Sequence, residues 1–202
     1  PHQQATLYLE PKTNSPFRKL KKLWGRDLSL TNLTDINAGL ESMRLFKEPA
    51  AVVIKHNSPC GIALGKSTEE ALKRAIEADP ESAFGGVIVL NSKLNLKAAR
   101  IIEAFKDEQK ANIDIVACPD IAKEAFELLQ KVRKSMGIYT FGKFKVNPDS
   151  IGTKLKVMNY RWIDGGFISQ TADLDIEKRV KDWTVATKKK PSKKQLKQMK
   201  IA

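Results

Sequence analysis

Cysteine is nearly absent: the 202 residues hold two, Cys60 and Cys118. They stand far apart without CxxC spacing, which argues against a disulfide framework or a thiolate zinc site and for a reducing, cytoplasmic compartment. Long apolar runs are missing too. No stretch reaches the length of a membrane span, and the first residues lack the cationic-then-apolar pattern of a signal peptide. Acid is missing from residues 188–202, where seven lysines stand unopposed and supply seven of the thirteen excess positive charges. Aromatics make up 7% of the chain, and none is interleaved with that lysine run. A nucleic-acid groove needs such interleaving or a module signature, so nucleic acid is an unlikely partner and a solvated basic face the plainer reading.

What is present is ordinary for a soluble globular chain, with 42% hydrophobic and 29% charged residues. This length can bury a substantial core. A second basic cluster, Arg18, Lys19, Lys21, Lys22 and Arg26, lies near the start. The net charge of +13 suits anionic partners, among them phosphorylated metabolites and polyglutamate. It also leaves one alternative to an enzyme, a non-catalytic basic module for nucleic acid or another polyanion. The chain opens on Pro1-His2-Gln3-Gln4 without a methionine and reads as a piece of something longer.

The pattern is organised around Ala50 to Gly61, AAVVIKHNSPCG. Ala50 to Ile54 is an apolar run of the kind that forms a strand buried on both faces, with the strand expected over 50–56. Lys55-His56 follows, a fixed cation beside a group that titrates near neutrality. Asn57-Ser58-Pro59-Cys60-Gly61 then breaks the pattern, since Pro59 biases Ser58 away from the helical region. In open α/β sheets ligands sit beyond the carboxyl ends of strands, where Lys55 and His56 fall. On a regular strand the two side chains would diverge; they share one site only if the strand has ended or is bulged there. Otherwise His56 is a hydrogen-bonded strand-end histidine and Lys55 a snorkelling cation.

Along the rest of the chain, residues 1–27 carry Pro1, Pro11, Pro16 and Gly25 and read as an extended arm. Leu33, Ile36, Leu40 and Met43 mark one helical face, capped by Thr31 or Asn32, with Asp35 in the first turn. A helix over 68–78 opens with Ser67-x-x-Glu70, a capping-box pattern. Ser82-Ala83-Phe84-Gly85-Gly86 leads into a strand over 87–90, followed by a helix over 96–107, a strand over 113–117 and a helix over 121–136. Alternation at these lengths predicts helices on both faces of a sheet that is parallel at least in part. Past Gly137 the pieces are β-rich: 138–144, 154–162, a Gly165-Gly166 turn into Phe167-Ile168-Ser169-Gln170, and 183–187. A last helix begins at Ser192. Residues 1–27 form an arm in this reading, 28–187 one domain, and 188–202 a lysine-rich linker.

Five stretches occur in order: Pro1-His2-Gln3, Leu30-Thr31-Asn32-Leu33-Thr34-Asp35, Lys55-His56-Asn57-Ser58-Pro59-Cys60-Gly61, Ser82-Ala83-Phe84-Gly85-Gly86, and Gly165-Gly166-x-x-x-Gln170. Together they resemble the AICAR transformylase part of the bifunctional AICAR formyltransferase/IMP cyclohydrolase family. The resemblance implies a three-layer α/β/α, cytidine-deaminase-like subdomain with a mixed sheet and without zinc, and the chain has neither HxE nor PCxxC. It implies formyl transfer from 10-formyltetrahydrofolate to the 5-amino group of AICAR in IMP biosynthesis, and a homodimer in the intact enzyme. It casts His56 as base, Lys55 as oxyanion stabiliser, and Asn32, Phe84, Gly85 and Asp114 as AICAR contacts. Each contact has a plainer alternative: Asn32 an N-cap, Phe84 core, Gly85 a turn, Asp114 a strand-edge charge. A second subdomain with further substrate and folate contacts is expected beyond Ala202, so little transformylase activity is expected of these 202 residues alone.

Overall fold

The run that begins at Ala50 becomes strand Ala50–Lys55, and Ala50 to Ile54 are each at most 1% exposed. Burying a Val or Ile side chain is worth roughly 1.5–3 kcal/mol, so this strand is a main source of the fold's stability. The computed structural model describes residues 4–9, 11, 15–44, 46–143, 158–171 and 183–199. They fall in two compact units, Pro1–Val146 and Asn147–Ala202, each described by itself. His2, residues 154–157 of an expected strand, and the end of the lysine tail lie outside the described residues.

In the first unit a 3-10 turn, Pro16–Lys19, precedes β1 (Lys21–Trp24) and α1 (Leu30–Met43). Then come β2 (Ala50–Lys55), β3 (Ser58–Leu64), α2 (Thr68–Ala78) and the short α3 (Pro80–Ala83). The unit closes with β4 (Val87–Leu90), α4 (Leu96–Gln109), β5 (Ile115–Cys118), α5 (Lys123–Val132) and β6 (Gly137–Thr140). The six strands form one mixed sheet in the order β1-β6-β5-β4-β2-β3. β4, β5 and β6 are parallel, joined by α4 and α5, while β2 runs antiparallel to both of its neighbours and β1 is antiparallel to β6.

Helices cover both faces. Ile36, Leu40 and Met43 of α1 pack on Val52, Ile54, Val89 and Ala117. Leu72 and Ile76 of α2, Ile102 and Phe105 of α4, and Leu129 of α5 pack on Val53, Ile88, Val116 and Ile138. The expected α/β class with a mixed sheet between helix layers is therefore the observed one.

Several boundaries differ from the sequence reading, each for a local reason. Ser29, not Thr31 or Asn32, caps α1: its side chain accepts from the Asn32 N–H, and Asn32 Oδ1 accepts from the Ser29 N–H at 3.1 Å. Ser67 caps α2 as expected, but the Glu70 carboxylate takes the Lys66 N–H. The helix expected over 121–136 spans only 123–132, because Arg133 turns extended. Residues 21–24, read as arm, form a polar edge strand whose lysines suit a sheet border. Where the sequence predicts an irregular break after His56, the structure has β3. It is an edge strand whose register with β2 shifts between Gly61 and Pro59, and edge strands and bulges are where a residue lacking an N–H is tolerated.

In the second unit, Met158–Ile163 (β7) and Gly166–Thr171 (β8) pair as an antiparallel hairpin, and Lys193–Met199 forms α6. Trp162 and Tyr160 both meet the Phe167 ring edge-on. The stretch 183–187 is not a strand; it has no ladder partner among the described residues.

Candidate active site

The β2 strand ends at Lys55, and the chain reverses through His56-Asn57 into β3, with Lys55 paired to Ser58. Both turn residues take positive φ, 55° at His56 and 62° at Asn57. That is the left-handed geometry of a two-residue hairpin turn, costing roughly 1–2 kcal/mol per non-glycine residue and less for Asn. The condition for Lys55 and His56 to escape strand alternation is thus met: the strand has ended, and His56 sits at the hairpin tip, exposed to solvent. Among the described residues the imidazole has no hydrogen-bond or ion-pair partner, so His56 is not a tied-down strand-end histidine.

Lys55 reaches along the sheet end to Phe84. Its Nζ donates to the Phe84 carbonyl at 2.8 Å and lies 5.9 Å from the centre of the Phe84 ring, at the outer limit of a cation–π contact. An ammonium has three donors, so two remain. Phe84 is 50% exposed, which removes the reading of it as core. Gly85 takes φ 73°, with open space where a side chain would begin. Its N–H is spent on the Asn112 carbonyl at 2.6 Å, while the Asp114 N–H bonds Gly86. These bonds tie the 84–86 corner to the lead-in of β5.

Asp114 is neither free nor a bare edge charge. Its Oδ2 takes Arg26 Nη1 at 2.7 Å and its Oδ1 takes Arg133 Nη1 at 2.6 Å. Arg26 also donates to the Ser135 carbonyl and Arg133 to the Ile113 carbonyl. Each carboxylate oxygen keeps a second lone pair for a ligand. Tyr139 donates its hydroxyl to the Arg26 carbonyl at 2.7 Å, and burial pushes that phenol's pKa up.

Asn32 stands apart from this group. α1 packs on the face that carries Val52 and Ile54, whereas alternation puts Lys55 on the face of Val53. Asn32 Oδ1 is committed to the Ser29 N–H and hydroxyl. A ligand touching both Asn32 and Lys55 must wrap the end of the sheet. Asp114 is two strands from β2, roughly 10 Å by strand spacing.

One structural rule misled the sequence reading. Lys55 is the last residue of β2 and His56 lies just past it, but β2 is antiparallel to β4. They therefore share the sheet end with the amino ends of β4 and β5, where Gly85 and Asp114 sit. Three residues are not predicted as site residues by the sequence: Arg26 and Arg133, whose pairing needs the fold, and Asp35, whose Oδ1 accepts from the Asn57 N–H at 2.7 Å. An acid on the apolar face of α1 was the available signal for Asp35.

Neither cysteine is poised as a nucleophile. Burial and the nearby Asp79 carboxylate raise the Cys60 thiol's pKa, and burial pushes Cys118 up to about 12. Among the described residues no group of three or more His, Cys, Asp or Glu is placed to hold a metal, and no helix is long and apolar enough to cross a membrane.

A mixed α/β sheet between helix layers, with a cation, an exposed imidazole and an exposed aromatic ring gathered at one end, defines the class: an α/β domain with a polar, enzyme-like sheet end. The family is equally plain. The family model described as AICARFT/IMPCHase bienzyme matches residues 1–202, and the chain belongs to that family. It is 34% identical over its whole length to the bifunctional purine biosynthesis protein PurH of Thermoanaerobacter sp. (strain X514), covering 36% of that protein. To the protein of the same name from Lacticaseibacillus casei (strain BL23) it is 37% identical over its whole length, covering 37%. To that of Clostridium kluyveri (strain NBRC 12016) it is 36% identical over 97% of the chain, again covering 36%. The chain spans about a third of the length of these curated relatives.

Proposed function

We propose that this chain carries the Lys55-His56 part of an AICAR transformylase site, working on AICAR and 10-formyltetrahydrofolate in the cytoplasm. The observation that carries the reading is the hairpin tip: an exposed imidazole beside a strand-end lysine whose ammonium already lies against an exposed aromatic ring. The chemistry asks for these groups. The AICAR amine is a weak nucleophile because its lone pair is delocalised into the ring. A base must take its proton as it attacks, and a cation must meet the oxyanion that forms on the formyl carbon. His56 takes that proton as the new C–N bond forms. Lys55 stabilises the oxyanion with a donor not used by Phe84. When the tetrahedral intermediate collapses, the bond to folate N10 breaks and His56 returns its proton to that nitrogen. The Phe84 ring offers a face for a planar heterocycle, Gly85 open backbone, and Asp114 acceptor lone pairs for ribose hydroxyls. Asn32 contributes from the α1 side if the ligand passes around the sheet end. In the intact enzyme we take the unit to be a homodimer.

Calorimetric titration of AICAR into the 202-residue chain, with Lys55→Ala and His56→Ala beside it, tests the reading. Saturable binding by the parent that weakens at least about tenfold in Lys55→Ala is expected, since a lost charged contact costs about 1.5–3 kcal/mol. Ring closure of formyl-AICAR without folate would assign the other half-reaction of the bifunctional name instead. Salt-sensitive oligonucleotide binding with no AICAR binding would favour the basic-module alternative.

A further inference from the structure

Asp35 and Thr68 are the two buried polar or charged side chains among the described residues. Asp35 is 5% exposed and sits on the core side of α1 beside Ile36 and Gly39. A carboxylate in such a place is costly unless it accepts hydrogen bonds. Its Oδ1 accepts one from the Asn57 N–H, reaching across 22 residues to the hairpin tip. The recipient is significant. In a two-residue hairpin turn the flanking pair, here Lys55 and Ser58, makes the ladder bonds, and the N–H of the second turn residue has no ladder partner. That turn is also locally unfavourable, because His56 and Asn57 are both left-handed without being glycine. A strained turn persists where surrounding structure over-determines it.

We propose that Asp35 is a positioning residue: from α1 it holds the His56-Asn57 turn in its left-handed form and so sets where the His56 imidazole points. The consequence for catalysis rests on the reading of His56 as the base; the hold on the turn does not. Asp35 makes no hydrogen bond or ion pair with the His56 side chain and acts through the Asn57 backbone.

The test uses the 202-residue chain with two readouts, AICAR affinity and the state of the turn. The second is followed by Asn57 amide exchange and by the three-bond couplings of the His56 and Asn57 Hα to the preceding carbonyl carbon, which are large only near the positive φ these residues hold. In Asp35→Ala the Asn57 amide is expected to exchange about tenfold faster, both couplings to move toward averaged values, and AICAR affinity to fall about five- to tenfold. Val89 amide protection should stay at the parent level, which a general loss of core packing would not allow. Adding Asn57→Gly to Asp35→Ala should recover at least half of the lost affinity, because glycine takes positive φ without strain. Asn57→Gly alone serves as the reference. Asp35→Asn keeps a carbonyl acceptor and should match the parent, and it carries the test should Asp35→Ala not fold. Unchanged couplings and exchange in Asp35→Ala overturn the proposal, as does a double variant no better than Asp35→Ala or a lost turn in Asp35→Asn. If the parent chain does not bind AICAR, the transformylase reading fails while the couplings and exchange still decide this inference.

Discussion

In the β7–β8 hairpin the chain turns at Asp164-Gly165, and glycine takes the positive φ of 73° with nothing near the position of a missing side chain. In the β2–β3 hairpin a turn of the same length uses His56 and Asn57, both left-handed, and a buried carboxylate on another helix supports it. The first turn follows from its own two residues. The second works against its local preferences and is maintained from a distance. Local sequence–structure conflicts of this kind concentrate where a protein has chemistry to do, and the propped turn is the one that presents Lys55 and His56.

The largest effect expected from this contrast comes from packing. A Cβ at Gly61 would lie 2.0 Å from the Ala75 carbonyl of α2, whereas at Gly166 it would meet nothing. Gly61→Ala should therefore lower unfolding free energy by about 3 kcal/mol, and Gly166→Ala by less than about 0.5 kcal/mol. Urea denaturation of the two variants measures the difference, and equal losses would break the contrast.

The next pair exchanges turn chemistry. Gly165→Ala forces a side chain into positive φ and should destabilise its hairpin by about 1 kcal/mol. His56→Gly removes the same kind of strain and should stabilise the β2–β3 hairpin by about 0.5–1 kcal/mol. Yet His56→Gly should impair formyl transfer in any assembly where transfer is measured. A variant gaining stability while losing activity identifies His56 as kept for chemistry; losing both would count against that.

A smaller effect is expected in acid. Asp79 accepts from the Ser82 N–H at 3.0 Å, and the bonds from Ser82 hold its pKa below the ordinary carboxylate value, with Lys55 assisting. A depressed folded pKa means that this cap is in force above the unfolded value of 3.8 and is lost as pH falls through the lower folded pKa. Ser82 amide protection should therefore drop on acidification below about pH 4, loosening α3 and the Phe84 corner. Asp79→Asn should flatten that dependence, and an unchanged slope would contradict it.

How far the molecule was legible follows the same division. The apolar runs Ala50–Ile54, Val87–Leu90 and Ile115–Ala117, and the periodic faces of α1, α2 and α4, carry their structure in local pattern, so strands, helices and the layered sheet were readable. The turn expected at Gly165-Gly166 was readable to within one residue because glycine announces it: it falls on Asp164-Gly165, and Gly166 already begins β8. β3 was not, because Asn-Ser-Pro-Cys-Gly has loop composition and becomes a strand only as an edge beside β2. The candidate site was half legible. Lys55, His56, Phe84 and Gly85 stand in two short motifs that the structure links through the Lys55–Phe84 bond. The Arg26–Asp114–Arg133 cluster and the Asp35 prop join residues 19 to 88 positions apart, and no local pattern encodes such pairings.

In this reading substrate arrives at the hairpin tip. Imidazole resonances followed by NMR during AICAR titration decide this, since the chain has only two histidines. A saturable shift at His56 is expected, with the Gly85 amide moving at the same midpoint. Perturbations confined to residues 183–199, with His56 and Gly85 unmoved at saturation, would contradict it.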